Sequence, residues 1–117
     1  MNNRSTGQIG EDIAVNYLVK NGYTILERNK HFSRNCEIDI IALDSKNTLV
    51  CVEVKTRKTE GFGSPLEAIT PIKLKNIKTG LFSYLQENPK YKSFRIDAIS
   101  IVLSPEQKLT HLKNIGL

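Results

Sequence analysis

The sequence predicts an α/β fold: a mixed β-sheet with helices packed on it, in the order α-β-β-β-α-β-β. Three observations carry this expectation. Apolar residues recur at helical spacing near 6–21 and again after Thr70-Pro71. Three strand-like runs lie between those segments, over 23–30, 37–44 and 49–57. Two more runs follow the second helix, at 94–103 and 108–113. The chain has 117 residues, so a single domain spanning 1–117 is expected.

The first helix opens on Ser5, whose spacing to Gln8 is that of a capping box. Ile9, Ile13, Tyr17 and Leu18 give it an apolar face, and Gly22 supplies the stop. Gly10 inside it has no side chain, which marks a place for close approach. The strand at 23–30 follows, then the strand at 37–44, closed by the turn cluster Asp44-Ser45-Lys46-Asn47. The third strand, 49–57, is rich in β-branched side chains. A loop with Gly61, Gly63 and Pro65 leads to the second helix, where Thr70 is the N-cap and Pro71 the first helical residue. Ile72, Leu74, Ile77, Leu81 and Leu85, with Phe82, form its periodic face, and Asn88-Pro89 ends it. The strand at 94–103 and a short edge strand at 108–113 complete the order.

The chain carries 17 Lys and Arg against 12 Asp and Glu, a net charge of +5. Such an excess favours polyanions through phosphate contacts and also serves solubility. Composition excludes a disordered tail, a collagen-like fibre and a coiled coil. No apolar run approaches the ~18 residues that span a bilayer. Residues 1–7 have no apolar stretch after their one basic residue, so a cytoplasmic protein is expected. Cys36 and Cys51 read as free thiols; their spacing, with no flanking His, is no zinc pattern.

The middle strands hold an anomaly. Asp39, Glu53 and Lys55 interrupt runs that otherwise look buried, and charges are rarely buried unless paired or bound to a metal. Strand period puts Glu53 and Lys55 on one face, about 6.6 Å apart. An antiparallel register with Asp39 opposite Glu53, Glu37 opposite Lys55, Ile41 opposite Cys51 and Leu43 opposite Leu49 leaves the other face entirely apolar. That face holds Ile38, Ile40 and Ala42 against Val54, Val52 and Val50. Two directly opposed carboxylates repel and are tolerated when a shared cation lies between them. Oxygen ligands suit Mg2+ or Mn2+, which can hold a phosphodiester and make a bound water nucleophilic. Lys55 beside them can stabilise the developing charge. The plainer reading is a surface ion-pair ladder, Glu53–Lys55 and Glu37–Lys55.

Gly10-Glu11, Glu37-Ile38-Asp39, Val52-Glu53-Val54-Lys55-Thr56-Arg57, Phe62-Gly63-Ser64-Pro65 and Arg95-Ile96-Asp97 together resemble the YraN family of uncharacterised bacterial proteins. The resemblance covers roughly residues 7–103. That family is regarded as a predicted nuclease group, distantly similar to archaeal Holliday junction resolvases and to the wider PD-(D/E)xK restriction-endonuclease-like fold. The resemblance implies that Asp39 and Glu53 match the metal-binding and catalytic carboxylates. It makes Lys55 the catalytic lysine and Glu11 the first-helix acid that often completes the metal site. One departure is visible: Asn35-Cys36 stands where the family usually has Gly-Gly.

Around this centre, Glu37 is either a supporting partner of Lys55 or a plain salt bridge. Arg57, Lys58 and Lys73 are candidate contacts to a nucleic-acid backbone, with a solvated surface as the alternative. Asp97 shares a strand face with Ile99 and Ile101 and reads as a structural partner of Arg95 or Arg28. His31 and His111 read as isolated surface residues. Three functions remain open: a Mg2+- or Mn2+-dependent nuclease on DNA, including branched or structured DNA; a non-catalytic nucleic-acid-binding module on the same fold; and an interaction subunit whose charged cluster is structural. Similar resolvases work as dimers, so a homodimer is compatible with the first reading.

Overall fold

The computed structural model describes residues 4–33, 36–61, 67 and 69–116. Helix α1 spans Thr6–Lys20 and starts with the capping box: Ser5 Oγ accepts from Gln8 N–H, and Gln8 Oε1 accepts from Ser5 N–H. Four strands and a second helix follow in the expected order, then a fifth strand. They are β1 (Thr24–Ser33), β2 (Cys36–Leu43), β3 (Leu49–Thr59), α2 (Pro71–Glu87), β4 (Phe94–Ser104) and β5 (Lys108–Leu112). Helix α2 is capped by Thr70, with Pro71 at its start.

The sheet order is β1-β2-β3-β4-β5. All neighbours pair antiparallel except β3 and β4, which are parallel. A parallel pair needs a crossover, and α2 supplies it. The sheet is therefore buried on two sides. One core packs under α1 and includes Ala14, Leu18, Ile40, Val50, Val52 and Ile99. The other packs under α2 and includes Ile38, Ile41, Leu49, Cys51, Ile77 and Leu81.

The β2–β3 register is the one the apolar pattern selects: Leu43 pairs with Leu49, Ile41 with Cys51 and Ile40 with Val52. One detail differs. Ile38 joins the α2 core and not the face of Ile40 and Ala42. The cause lies at Asp39. On the β1 side, Arg28 pairs with Ile40 and Lys30 with Ile38, but the intervening pair of Asn29 and Asp39 is missing. Asn29 is left-handed, with φ 51°, a conformation that Asn tolerates better than most residues. The register is the same on either side of this gap, and the alternation of faces shifts across Asp39.

Asp97 sits fully buried on β4, in register with Val52 on the α1 side of the sheet, and its partner is Arg95. Arg95 Nε donates to Asp97, while its other nitrogens donate to Asp44 Oδ2 at 2.8 Å and to Tyr23 Oη at 2.9 Å. His111 is not an isolated surface residue. Its side chain is 6% exposed, with Nε2 2.8 Å from Asp97 Oδ2 and Nδ1 2.9 Å from Tyr17 Oη. Burial alone would raise the Asp97 carboxyl. Hydrogen bonds from His111, Asn114 N–H and Arg95 outweigh it and hold the group below the usual carboxylate range.

The close approach expected at Gly10 is made by β3. A Cβ on Gly10 would lie 1.7 Å from Thr56 Oγ1 and 2.7 Å from Thr56 Cβ. Gly10→Ala should therefore destabilise the protein by about 1–3 kcal/mol through overpacking, although Ala is the better helix former. Thr56 Oγ1 is buried without a hydrogen-bond partner, so Thr56→Ala should cost little alone and recover part of the Gly10→Ala loss. Urea unfolding of the two single variants and the double variant checks this coupling.

Candidate active site at the β2–β3 fork

The regular β2–β3 ladder runs from Leu43–Leu49 to Ile40–Val52. Beyond it, two carboxylates take over the bonding. Asp39 Oδ2 accepts from the backbone N–H of Val54 at 2.8 Å, and Glu53 Oε2 accepts from the backbone N–H of Asp39 at 3.3 Å. Each side chain thus reaches into the opposite strand. Glu53 is 3% exposed and Asp39 is partly buried. Both open onto a recess of about 410 Å³ whose other wall is the first turns of α2, with Thr70, Lys73 and Asn76.

Burial raises both carboxyls. Asp39 is pushed up to about 6, with Glu11 and Glu37 adding to the effect and the Val54 N–H and Lys73 opposing it. Glu53 is pushed up to about 8 by burial and by the Asp39 charge, again against Lys73. The cation in contact is Lys73, whose Nζ lies 3.5 Å from Glu53 Oε1. Its place follows from the helix start, where Thr70 Oγ1 accepts from Lys73 N–H at 3.1 Å and orients the first turn toward Glu53. The sequence offers Lys73 as a solvated residue or a phosphate contact and not as a partner of Glu53, because the crossover that brings it there is long-range.

Lys55 is exposed, one pleat beyond Glu53, and shares a narrow crevice with Glu53 and Lys73. Among the described residues it pairs with neither Glu53 nor Glu37, so the surface ion-pair ladder does not form. Glu37 instead lies 3.6 Å from His31 Nε2, which corrects both its expected link to Lys55 and the isolation of His31. Glu11 is held on α1 with Oε1 3.9 Å from Arg28 and does not line the recess. Arg57 is partly buried further along β3, and Lys58 is exposed, its C=O accepting from the Ser104 hydroxyl. Asn35 and Phe62-Gly63-Ser64-Pro65 lie outside the described residues.

Among the described residues, no three His, Cys, Asp or Glu side chains converge as a ready-made metal cage. Mg2+ does not require one: it is commonly held by one or two carboxylates with water and substrate phosphate. Two desolvated carboxylates that resist ionisation together are a donor set a divalent ion would relieve. Asp39 and Glu53 fit that role, while Glu11 lies 3.9 Å from Arg28 and acts on Asp39 through its charge.

The fold class is that of resolvase-like and repair-endonuclease-like proteins. A Holliday junction resolvase from Archaeoglobus fulgidus superposes with a TM-score of 0.53 at 16% identity, over 89% of this chain and 75% of that one. A repair endonuclease from Pyrococcus abyssi superposes with a TM-score of 0.50 at 14% identity, over 86% of this chain, which spans only 40% of that protein. The chain belongs to UPF0102, described as an uncharacterised protein family, whose model matches residues 10–101. Its relatives include UPF0102 proteins of Syntrophomonas wolfei, 41% identical over 96% of this chain and 97% of the relative, and of Persephonella marina, 47% identical over 92% and 90%. This is the family that the sequence resemblance indicated.

The raised carboxyls fix the sign of a pH dependence. Both native pKa values lie above those of the unfolded chain, near 4. The stability they contribute is present below about pH 4 and is lost as pH rises through about 6 to 8. Asp39→Asn should flatten that decline, and at pH 8 in EDTA it should be neutral or stabilising by up to about 1 kcal/mol. Added Mg2+ should raise the melting temperature of the wild type but not of the variant. Denaturation in EDTA and in Mg2+ from pH 4 to pH 8 reads both effects; a clear loss of stability for Asp39→Asn in EDTA would make Asp39 a structural partner.

Proposed function

We propose that this chain is a metal-dependent nuclease that hydrolyses DNA phosphodiester bonds, with branched or otherwise structured DNA as its substrate class. The observation that supports this most is the buried Asp39–Glu53 pair at the strand fork, in a fold shared with resolvase-like and repair-endonuclease-like proteins. Asp39 and Glu53 would hold Mg2+ or Mn2+, which supplies a polarised phosphate and a water acidic enough to attack near neutral pH. The remaining work falls to the protein's own side chains. Thr70 at the N-cap of α2 and Lys73 in its first turn present positive potential to a phosphate in the recess. Lys55, which shares a crevice with Glu53 and Lys73, would stabilise charge that develops on the scissile phosphate. Burial of Glu53 keeps bulk water from screening these interactions.

One observation favours a second reading, a DNA-binding module that does not cut. Lys73 already sits on Glu53 as its counter-ion, and a lysine can replace a metal as the neutralising charge. Cleavage decides between the two. With Mn2+, the wild type should cut at least one of duplex, single-stranded and four-way-junction DNA, and Glu53→Ala should not. Lys55→Ala should bind Mn2+ as the wild type does, yet lose about 10²–10³-fold in single-turnover cleavage at saturating DNA. Full cleavage by Lys55→Ala would remove that residue from the mechanism, and intact binding with no cleavage by the wild type would establish the module.

A further inference from the structure

Arg57 extends the site beyond the carboxylates. The strand period places Glu53, Lys55 and Arg57 in a row on one face of β3. Register sets Lys55 beside Ser100 and Arg57 beside Val102 on β4, and Ser100 beside Thr110 on β5. Helix α2 covers this face over Leu49 and Cys51 and begins near Glu53. Among the described residues, three recesses follow one another along the part that α2 leaves open. Glu53 and Lys73 line both the first and the second, and Ser100 lines both the second and the third. The last is a cavity of about 210 Å³ lined by Arg57, Ser100 and Thr110.

Arg57 differs from the other described arginines in lacking a carboxylate. Arg4 and Arg28 each bond Asp12, and Arg95 bonds Asp97 and Asp44. The one carboxylate in the Arg57 cavity, Glu60, is bonded to Lys108. A partly buried guanidinium without a counter-ion is unfavourable in the free protein. Its planar fork matches a phosphate, and neighbouring hydroxyls can donate to the same oxygens. At ~3.3 Å per residue the cavity lies about 13 Å from Glu53, which is about four base pairs along a duplex.

We propose that Arg57, with Ser100 and Thr110, is a backbone-phosphate subsite that grips DNA about four base pairs from the Asp39–Glu53 pair and sets its register there. The subsite rests on the DNA reading but not on cleavage. The experiment is therefore run in EDTA, on the full chain with a 20-base-pair duplex, by anisotropy across a salt series. Arg57→Gln should weaken binding severalfold at low salt and reduce the slope of log affinity against log salt by about one. Arg57→Lys should restore most of the slope. Lys20→Ala, exposed at the far end of α1, should leave it unchanged. In the wild type, the Arg57 Nε–Hε resonance should shift with duplex at the concentrations that bind it, and only weakly with inorganic phosphate; this measurement stands even if Arg57→Gln fails to fold. An unchanged slope for Arg57→Gln, or an equal drop for Lys20→Ala, would overturn the subsite. Saturation of the Arg57 resonance by phosphate but not by duplex would assign the cavity to a small anion and overturn it too. A wild type that binds with the Arg57-dependent slope but never cuts with Mn2+ sinks the nuclease and leaves the subsite standing.

Discussion

Asp39 and Glu53 stand where a β-ladder would otherwise continue, and they exchange backbone bonds for side-chain ones. The Val54 and Asp39 amides remain satisfied, so the sheet loses little hydrogen bonding by parting at this point. What it gains is an opening. The strands diverge beyond Ile40–Val52, Ile38 turns to the α2 side, and a recess forms between β2 and the start of α2. Two charges are thereby held in a place that penalises both, and the first turn of α2 answers with Lys73.

The α1 side of the sheet is built on the reverse principle. Asp97 is fully buried, yet every donor it needs is supplied, by Arg95, His111 and the Asn114 amide. Through Arg95 the same carboxylate is tied to the Asp44 turn and to Tyr23, and through His111 to Tyr17 of α1. One buried acid is over-satisfied and fastens four parts of the chain; the other two are under-satisfied and face a cavity. The contrast separates framework from candidate chemistry better than burial does, since all three acids are withdrawn from water.

Much of this was legible in the sequence. Helix starts were written in Ser5/Gln8 and Thr70-Pro71, because caps are local. The β2–β3 register followed from alternation across a short turn, and with it the meeting of Asp39 and Glu53. Contact over long separations was not legible. Lys73 reaches Glu53 only because the parallel crossover lays α2 over β2, with its first turn beside Glu53. His111 and Tyr17 meet from opposite ends of the chain, and nothing near either residue signals it. The turn of Ile38 depends on a left-handed Asn29 in the neighbouring strand; Asn is a residue that permits such a turn without announcing it.

The crossover has a consequence for the order of assembly. α1, β1, β2 and β3 are joined by short connections and pair with sequence neighbours, so they can form early. The two carboxylates are brought together in that first unit. The lysine that compensates them arrives with α2, and β4 can add to β3 only once the long connection closes. Until then the opposed acids face each other without their cation. Closure of the crossover therefore completes the charge balance of the site together with the sheet.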